Sequence, residues 1–214
     1  MPSASTLTCV IPQLPAVLVL ASGSPGRLRL LQEAGVYPEV VVSGVDESAR
    51  EDLGTPALVQ VLAERKAAAV SARRPAALVL GCDSMLDLEG TALGKPYSAG
   101  QALAMWHRLA GREATLCTGH CLIDGASGGR VSAVARTTVR FGTPSEAELT
   151  AYVASGEPLR VAGGFTIDGL GGWFVDAVDG DPSSVIGISL PLTRRLFERA
   201  GLSIPGLWAA NPVT

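Results

Sequence analysis

Val17-Leu18-Val19-Leu20-Ala21-Ser22-Gly23-Ser24-Pro25-Gly26-Arg27 is the stretch on which the reading of the fold turns. Five apolar residues predict a buried strand and the Ser/Gly cluster predicts a turn. Ser-Pro then opens a helix, because proline presets the first helical φ. That helix runs through Leu28, Leu30, Leu31 and Ala34 and closes at Gly35, after which Glu39 to Val42 reads as a second strand. The unit is a β-α-β beginning. Its turn sets backbone N–H groups and small hydroxyls at a helix N-terminus, where the partial positive charge attracts an anion, and Arg27 adds a planar donor fork suited to phosphate. Ser-Pro is also an ordinary helix start, so the turn needs company before it means chemistry.

Outward from this unit, Leu58, Val61, Leu62, Ala69 and Val70 form the apolar stripe of a helix over about 56–72. Ala76 to Cys82 is a continuous apolar run, as in a strand covered on both faces, and it is expected to end at Asp83. Met85 to Leu88 and Thr91 to Leu93 flank Glu89-Gly90 as a hairpin. A helix over Ala99 to Leu109 carries Leu103, Trp106 and Leu109 and stops at Gly111. Two long strands follow, Ala114 to Ile123 and Arg130 to Phe141. Thr143-Pro144-Ser145-Glu146 predicts a helix start with Thr143 as N-cap and Glu146 completing a capping box, and that helix ends near Gly156. Pro191 to Ala200 is the last expected helix. The expected organisation is a flexible segment over 1–15, one domain over 16–201 and a tail over 202–214. The class is α/β, with helices flanking a sheet.

The chain has 214 residues, 47% of them apolar and 17% charged, with a net charge of −3. That size suits one compact unit. The negative charge argues against broad nucleic-acid binding, which needs a basic face to displace counterions. No apolar run approaches the roughly twenty residues that cross a bilayer, and Met1 to Pro15 lacks the pattern of a secretory signal. A cytoplasmic protein is expected. Cys9, Cys82, Cys117 and Cys121 fit that compartment: even spacing puts Cys117 and Cys121 on one face of a strand and His120 on the other, which favours core thiols over a zinc cluster.

Several polar clusters stand near the ends of predicted strands, where open α/β sheets place ligands. Asp46-Glu47 follows the second strand, and Asp83 follows the buried one. Carboxylates there suit Mg²⁺ or Mn²⁺, which bridge to substrate phosphates, although an exposed acidic pair is also a common solvated loop. Lys66 and Lys95 are candidates to neutralise phosphate oxygens, or simply solvent-exposed cations. No GxxxxGK[ST] is present, which disfavours a P-loop ATPase. His107 and His120 lie in a helix and mid-strand, so a serine-hydrolase triad is disfavoured.

In combination these pieces resemble the Maf family of nucleoside triphosphate pyrophosphatases. Leu20 to Arg27 resembles the family's LAS-x-SPRR opening, Val45-Asp46-Glu47 its acidic motif, Gly81-Cys82-Asp83-Ser84 its GADT, and Leu93-Gly94-Lys95-Pro96 its LGKP. Lys66 matches the second-helix lysine. Thr118-Gly119, Tyr152 to Pro158, Ala162-Gly163, Gly169 to Gly171, Val185 to Gly187 and Leu190 to Leu192 follow in family order. The resemblance spans about residues 16–201 and implies a Maf/ITPase-like fold, with a mixed central sheet and two lobes around a cleft.

The activity it implies is hydrolysis of a canonical or non-canonical nucleoside triphosphate between its α and β phosphates, with a divalent metal, in a homodimer. By the same resemblance Asp83 is the proton acceptor or a metal ligand, Glu47 an acidic metal or water-positioning group, and Ser22, Arg27, Lys66 and Lys95 surround the triphosphate. The sequence departs from the family at Gly26, where SPRR has its first arginine. It departs again at Val161, beside Arg160, and at Phe165 to Asp168, where Asp168 is placed either to read a base edge or to cap a turn. The loss of an arginine at Gly26 is the best argument for the competing reading, a non-catalytic nucleotide-binding regulator or a cell-division-associated interaction protein.

Overall fold

The computed structural model describes residues 17–47 and 53–210; Cys9 and the segment Met1 to Pro15 lie outside them. The first unit forms as its sequence dictates. Strand β1 (Leu18–Leu20) leads through the Ser22-Gly23 turn into α1 (Pro25–Glu33), with Ser24 as N-cap and Pro25 in the first turn. Helix α1 ends in a Schellman pattern, Val36 N–H to Leu31 C=O at 2.8 Å and Gly35 N–H to Gln32 C=O at 2.9 Å. Strand β2 (Glu39–Val40) then pairs in parallel with β1.

Helix α2 (Thr55–Ser71) precedes β3 (Leu78–Leu88), which pairs in parallel with β1 and turns through Glu89-Gly90 into β4 (Thr91–Leu93). Both turn residues have positive φ, 54° and 84°, the requirement of a tight two-residue hairpin. Helix α3 (Ala99–Leu109) is followed by the long strands β5 (Glu113–Asp124) and β6 (Arg130–Phe141), then α4 (Glu146–Ala154). After 3₁₀ turns come β7 (Val175–Asp179), α5 (Pro182–Ile186), α6 (Leu190–Arg199) and α7 (Ile204–Ala210). The seven-stranded mixed sheet has the order β2-β1-β3-β5-β6-β7, with β4 added beside β3.

Two expectations need correction. β3 does not end at Asp83. It continues to Leu88, because residues 78–87 all pair with β5 and because Leu86 and Leu88 are buried on the same face as Cys82. The cap of α4 is Ser145 rather than Thr143: its hydroxyl accepts the Glu148 N–H and the Glu148 carboxylate accepts the Ser145 N–H at 2.7 Å. Pro144 therefore precedes the cap. Past residue 201, the expected tail carries α7, whose Leu207 is buried and whose Trp208 indole donates to the Ala34 carbonyl at 2.9 Å.

Three apolar clusters follow from the alternation along the strands. Leu78, Leu80 and Cys82 pack with Leu30 and Leu31 of α1, Leu196 and Phe197 of α6 and Leu207 of α7. On the opposite face, Val79, Cys121 and Ile123 pack with Ala63, Ala67 and Val70 of α2. The far halves of the long strands, with Leu86, Leu116, Val139 and Phe141, pack with Trp106 of α3 and Tyr152 of α4. Helix α2 sits unusually close to the sheet. A Cβ at Gly81 would lie 2.4 Å from the Ala63 carbonyl, and one at Gly119 would lie 2.2 Å from the Val59 carbonyl. Only glycine admits that approach, and it brings Lys66 within reach of Asp83.

Candidate active site

The strand ladder contains a break. On its β1 side, β3 is paired as far as Leu80, whose carbonyl also accepts the Ala21 N–H, and pairing resumes at Leu86 opposite Leu93 of β4. Residues 81–85 thus have an edge that neither β1 nor β4 covers. Ser22 arrives at this gap from β1, and Gly94-Lys95 enters it from β4. Asp83 lies in the middle. The period-two alternation divides the gap into two sides: Cys82 and Ser84 face α1, while Asp83 faces α2.

On the α2 side, Lys66 Nζ lies 2.6 Å from Asp83 Oδ1 and 2.7 Å from Glu47 Oε1. Lys66 and Asp83 are almost wholly buried, at 6% and 5% exposure, whereas the Glu47 side chain is 58% exposed. The segment leading to Glu47 is held from just beyond the C-terminus of α2 as well, since the Arg73 guanidinium donates to the carbonyls of Val42 at 2.9 Å and Ser43 at 3.1 Å. Burial pushes the Asp83 carboxyl above the usual aspartate range. Lys66 and then Arg27 oppose that rise, and the Glu47 charge adds to it. Asp83 Oδ2 is buried without a hydrogen-bond partner. A carboxylate with one oxygen anchored, one oxygen unused and an elevated proton affinity is suited to take a proton or to meet a ligand in the gap.

On the α1 side, Arg27 is buried at 8% exposure and turned inward. Its Nε donates to the Gly187 carbonyl at 2.9 Å, Nη1 to Ser22 Oγ at 2.9 Å and to the Cys82 carbonyl at 3.0 Å, and Nη2 to Ser84 Oγ at 2.9 Å. One Nη2 hydrogen is left of the fork. Ser84 Oγ in turn lies 3.0 Å from Thr118 Oγ1, which donates to the Ser184 carbonyl at 3.3 Å. Ser22 Oγ also accepts the Ser24 N–H at 3.3 Å. With two donors already directed at it, the Ser22 hydroxyl keeps its own hydrogen for a further acceptor.

The structure thus brings Glu47, Lys66 and Asp83 into direct contact and sets Ser22 and Arg27 against the backbone and Ser84 on the other face. Lys95 is exposed at the rim and makes no hydrogen bond or ion pair among the described residues. Asp168 is tied to the Arg29 guanidinium of α1 and to the Thr166 hydroxyl, which joins the turn between the second and third 3₁₀ segments to the first helix. Arg160 is exposed. At Gly26 a Cβ would meet the Ile186 carbonyl at 3.5 Å, an ordinary contact, so a side chain there has room. Cys82, Cys117 and Cys121 are buried free thiols, pushed by burial to about 12, about 11 and about 12, and are inert core residues.

Sequence reasoning missed Ser84, Thr118, Ser184 and Gly187 as parts of the site. The signal was available in the alternation of β3 and β5, which places the hydroxyls of Ser84 and Thr118 beside His120 on one buried face.

The chain is similar to known proteins along most of its length. The model of Maf-like proteins matches residues 17–200. A protein of Mycobacterium sp. strain JLS, named nucleoside triphosphate pyrophosphatase, is 55% identical over 204 residues, covering 89% of this chain and 97% of its own length. A protein of the same name from Streptomyces coelicolor is 58% identical over 195 residues, covering 90% and 94%. One from Salinispora tropica, again of that name, is 51% identical over 206 residues, covering 94% and 91%.

Proposed function

The chain belongs to the family of Maf-like proteins, and from that premise we infer that it is a nucleoside triphosphate pyrophosphatase, a hydrolase that releases a nucleoside monophosphate and pyrophosphate. The observation that carries the reading is Asp83, buried in the gap of the ladder with Oδ1 on Lys66 and Oδ2 without a partner. Asp83 accepts the proton of a water that attacks the α-phosphorus. The new P–O bond replaces the bridging one, and pyrophosphate leaves with the bridging electron pair. Lys66 holds Asp83 ionised despite its burial, and Glu47, the exposed member of the trio, steadies water or metal.

Ser22 donates its remaining hydroxyl hydrogen to a phosphate oxygen, in the manner of anion sites at helix starts. Arg27 contributes one Nη2 hydrogen and otherwise fixes Ser22 and the Cys82 carbonyl. Lys95, at the opposite bank, receives the charge that develops on pyrophosphate.

A divalent Mg or Mn ion is part of the proposal, and the residues fit it. Asp83 Oδ2 is a hard oxygen with nothing else to bind, and Glu47 shares Lys66 with it. Among the described residues no group of three His, Cys, Asp or Glu side chains converges, so substrate phosphates and water would complete the coordination, the usual habit of Mg²⁺. Once bound, the ion would draw charge from the phosphate oxygens.

A cytoplasmic location is supported by the buried free thiols; among the described residues no helix is long and apolar enough to cross a membrane. A homodimer rests on the family resemblance alone.

The test is a panel of canonical and modified nucleoside triphosphates with Mg²⁺ or Mn²⁺, assayed for pyrophosphate rather than orthophosphate. Turnover of at least one member with stoichiometric pyrophosphate is expected. No turnover on any member overturns the reading.

A further inference from the structure

His120 has no place in the reaction above. It is fully buried in β5, yet both ring nitrogens are engaged: Nδ1 donates to the Thr118 carbonyl at 3.0 Å, and Nε2 accepts the Ser189 N–H at 2.9 Å. Only the neutral Nδ1–H tautomer makes both bonds. Burial holds the ring neutral by lowering its pKa to about 4, with Arg27 and Asp181 the charged groups that act on it.

Followed outward, the bonds close a ring. Ser189 is the N-cap of α6, and two residues before it the Gly187 carbonyl accepts Arg27 Nε. Arg27 Nη2 donates to Ser84, which meets Thr118, whose carbonyl accepts His120 Nδ1–H. The segment from α5 to the N-cap of α6 is therefore clamped to β5 twice, at the Ser184 carbonyl by Thr118 and at the Ser189 N–H by His120. Gly187 lies between the clamps with φ +123°. That conformation turns its carbonyl onto the guanidinium and disfavours a side chain, which would be strained at this φ and whose Cβ would crowd Arg27 Nε at 3.0 Å.

We propose that His120 is a positioning residue for triphosphate binding: as the Nδ1–H tautomer it holds Ser189, and through the Gly187 carbonyl it aims Arg27 at the Ser22 turn. The consequence for catalysis rests on the pyrophosphatase reading. The effect on Arg27 does not.

The experiment compares the full chain with His120→Leu and His120→Gln. The glutamine amide offers an acceptor near the Nε2 position, whereas leucine fills the space without one. In substrate-free protein, solvent exchange of the Arg27 Nε–H is expected to rise about tenfold in His120→Leu, the response of a loosened local hydrogen bond, and to return most of the way in His120→Gln. KM for a triphosphate is expected to rise about tenfold with kcat changed much less, the signature of lost binding rather than lost chemistry.

Unchanged Arg27 exchange in His120→Leu overturns the proposal. So does an equal loss in both variants, which would mark a packing role. If His120→Leu does not fold, long-range ¹H–¹⁵N correlations in the wild-type chain decide: the Nδ1–H tautomer at neutral pH supports the ring, and an Nε2–H ring or an imidazolium overturns it. A chain that hydrolyses no triphosphate but shows the Arg27 response would refute the enzyme reading and leave the His120–Arg27 linkage standing.

Discussion

Arg27 and Lys66 are both buried cations, and they reach neighbouring residues of β3 from opposite faces, Arg27 at Cys82 and Ser84 and Lys66 at Asp83. Arg27 meets only neutral acceptors, the carbonyls of Gly187 and Cys82 and the hydroxyls of Ser22 and Ser84. Lys66 meets only carboxylates, Asp83 and Glu47. A guanidinium does not deprotonate in a protein, so a buried one bonded to fixed neutral oxygens maintains geometry and a standing positive potential. A lysine wedged between two acids instead favours the ionised form of the buried one, Asp83, and any ligand that competes for those acids alters the balance. In the proposed mechanism the face of β3 toward α1 is accordingly a scaffold, and the face toward α2 is where protons and ions exchange. Buried charge alone does not tell the two apart; the identity of the partners does.

The strongest way to break this contrast is Asp83→Asn, which keeps the shape and removes the base. Turnover is expected to fall by about two to four orders of magnitude, the scale of a positioned acid or base, with the fold retained by circular dichroism.

Lys66→Met comes next, with kcat/KM lower by about two orders of magnitude as a charge next to the reacting groups is lost. Its sharper signature is in the pH profile. Asp83 works only when ionised, and its pKa is already raised by burial, so the wild-type rate climbs with pH above the ordinary aspartate range. Lys66 is the largest influence opposing that rise, so the acidic limb in the variant must move further up in pH. A limb that stays in place or moves down would separate Asp83 from Lys66.

Arg27→Lys tests the scaffold. Three or more charged hydrogen bonds to buried acceptors are lost together, and stability should fall by about 4 kcal/mol by denaturant titration. His120 predicts a pH effect on the same side. Its folded pKa of about 4 lies below the ordinary imidazole value of 6.5, so its contribution is complete above pH 6.5 and disappears as pH falls through 4. About 3 kcal/mol should be lost across that window, and His120→Gln should abolish that part of the acid slope.

Gly26→Arg should be the mildest. The site has room, and loss of a flexible glycine near a helix start contributes about 0.5–1 kcal/mol in favour of folding. Triphosphate affinity should tighten; an unchanged Kd would mean that another group already fills the place.

The scaffold was harder to read from sequence than the reactive face. Glu47, Lys66 and Asp83 carry charges, and charge beside apolar runs draws attention in a linear reading. Ser84, Thr118 and Ser184 are small hydroxyls whose meaning depends on which face of a strand they occupy. That was obscured by placing a strand end at Asp83, where an acid after an apolar run reads as a terminus. Pairing with β5 overrode this local signal and moved Asp83 from a strand end to the centre of an unpaired edge. Gly81 and Gly119 look like ordinary strand glycines until α2 is laid on them. The cap of α4 was misread for a related reason, because Thr143 and Ser145 are both good caps with a glutamate three residues on, and only the tertiary structure decides: Glu148 closes back on Ser145 while Glu146 turns to His107 of α3. The β-α-β start, the Glu89-Gly90 hairpin and the span of α3 were legible because each rests on local chemistry, namely a helix start, a left-handed pair and an amphipathic stripe.

The most direct measurement of the central claim is the fate of solvent oxygen during turnover in H₂¹⁸O. If water held at Asp83 attacks the α-phosphorus with pyrophosphate as leaving group, one ¹⁸O atom appears in the nucleoside monophosphate and none in pyrophosphate. Label in pyrophosphate, or release of labelled orthophosphate, would contradict that chemistry.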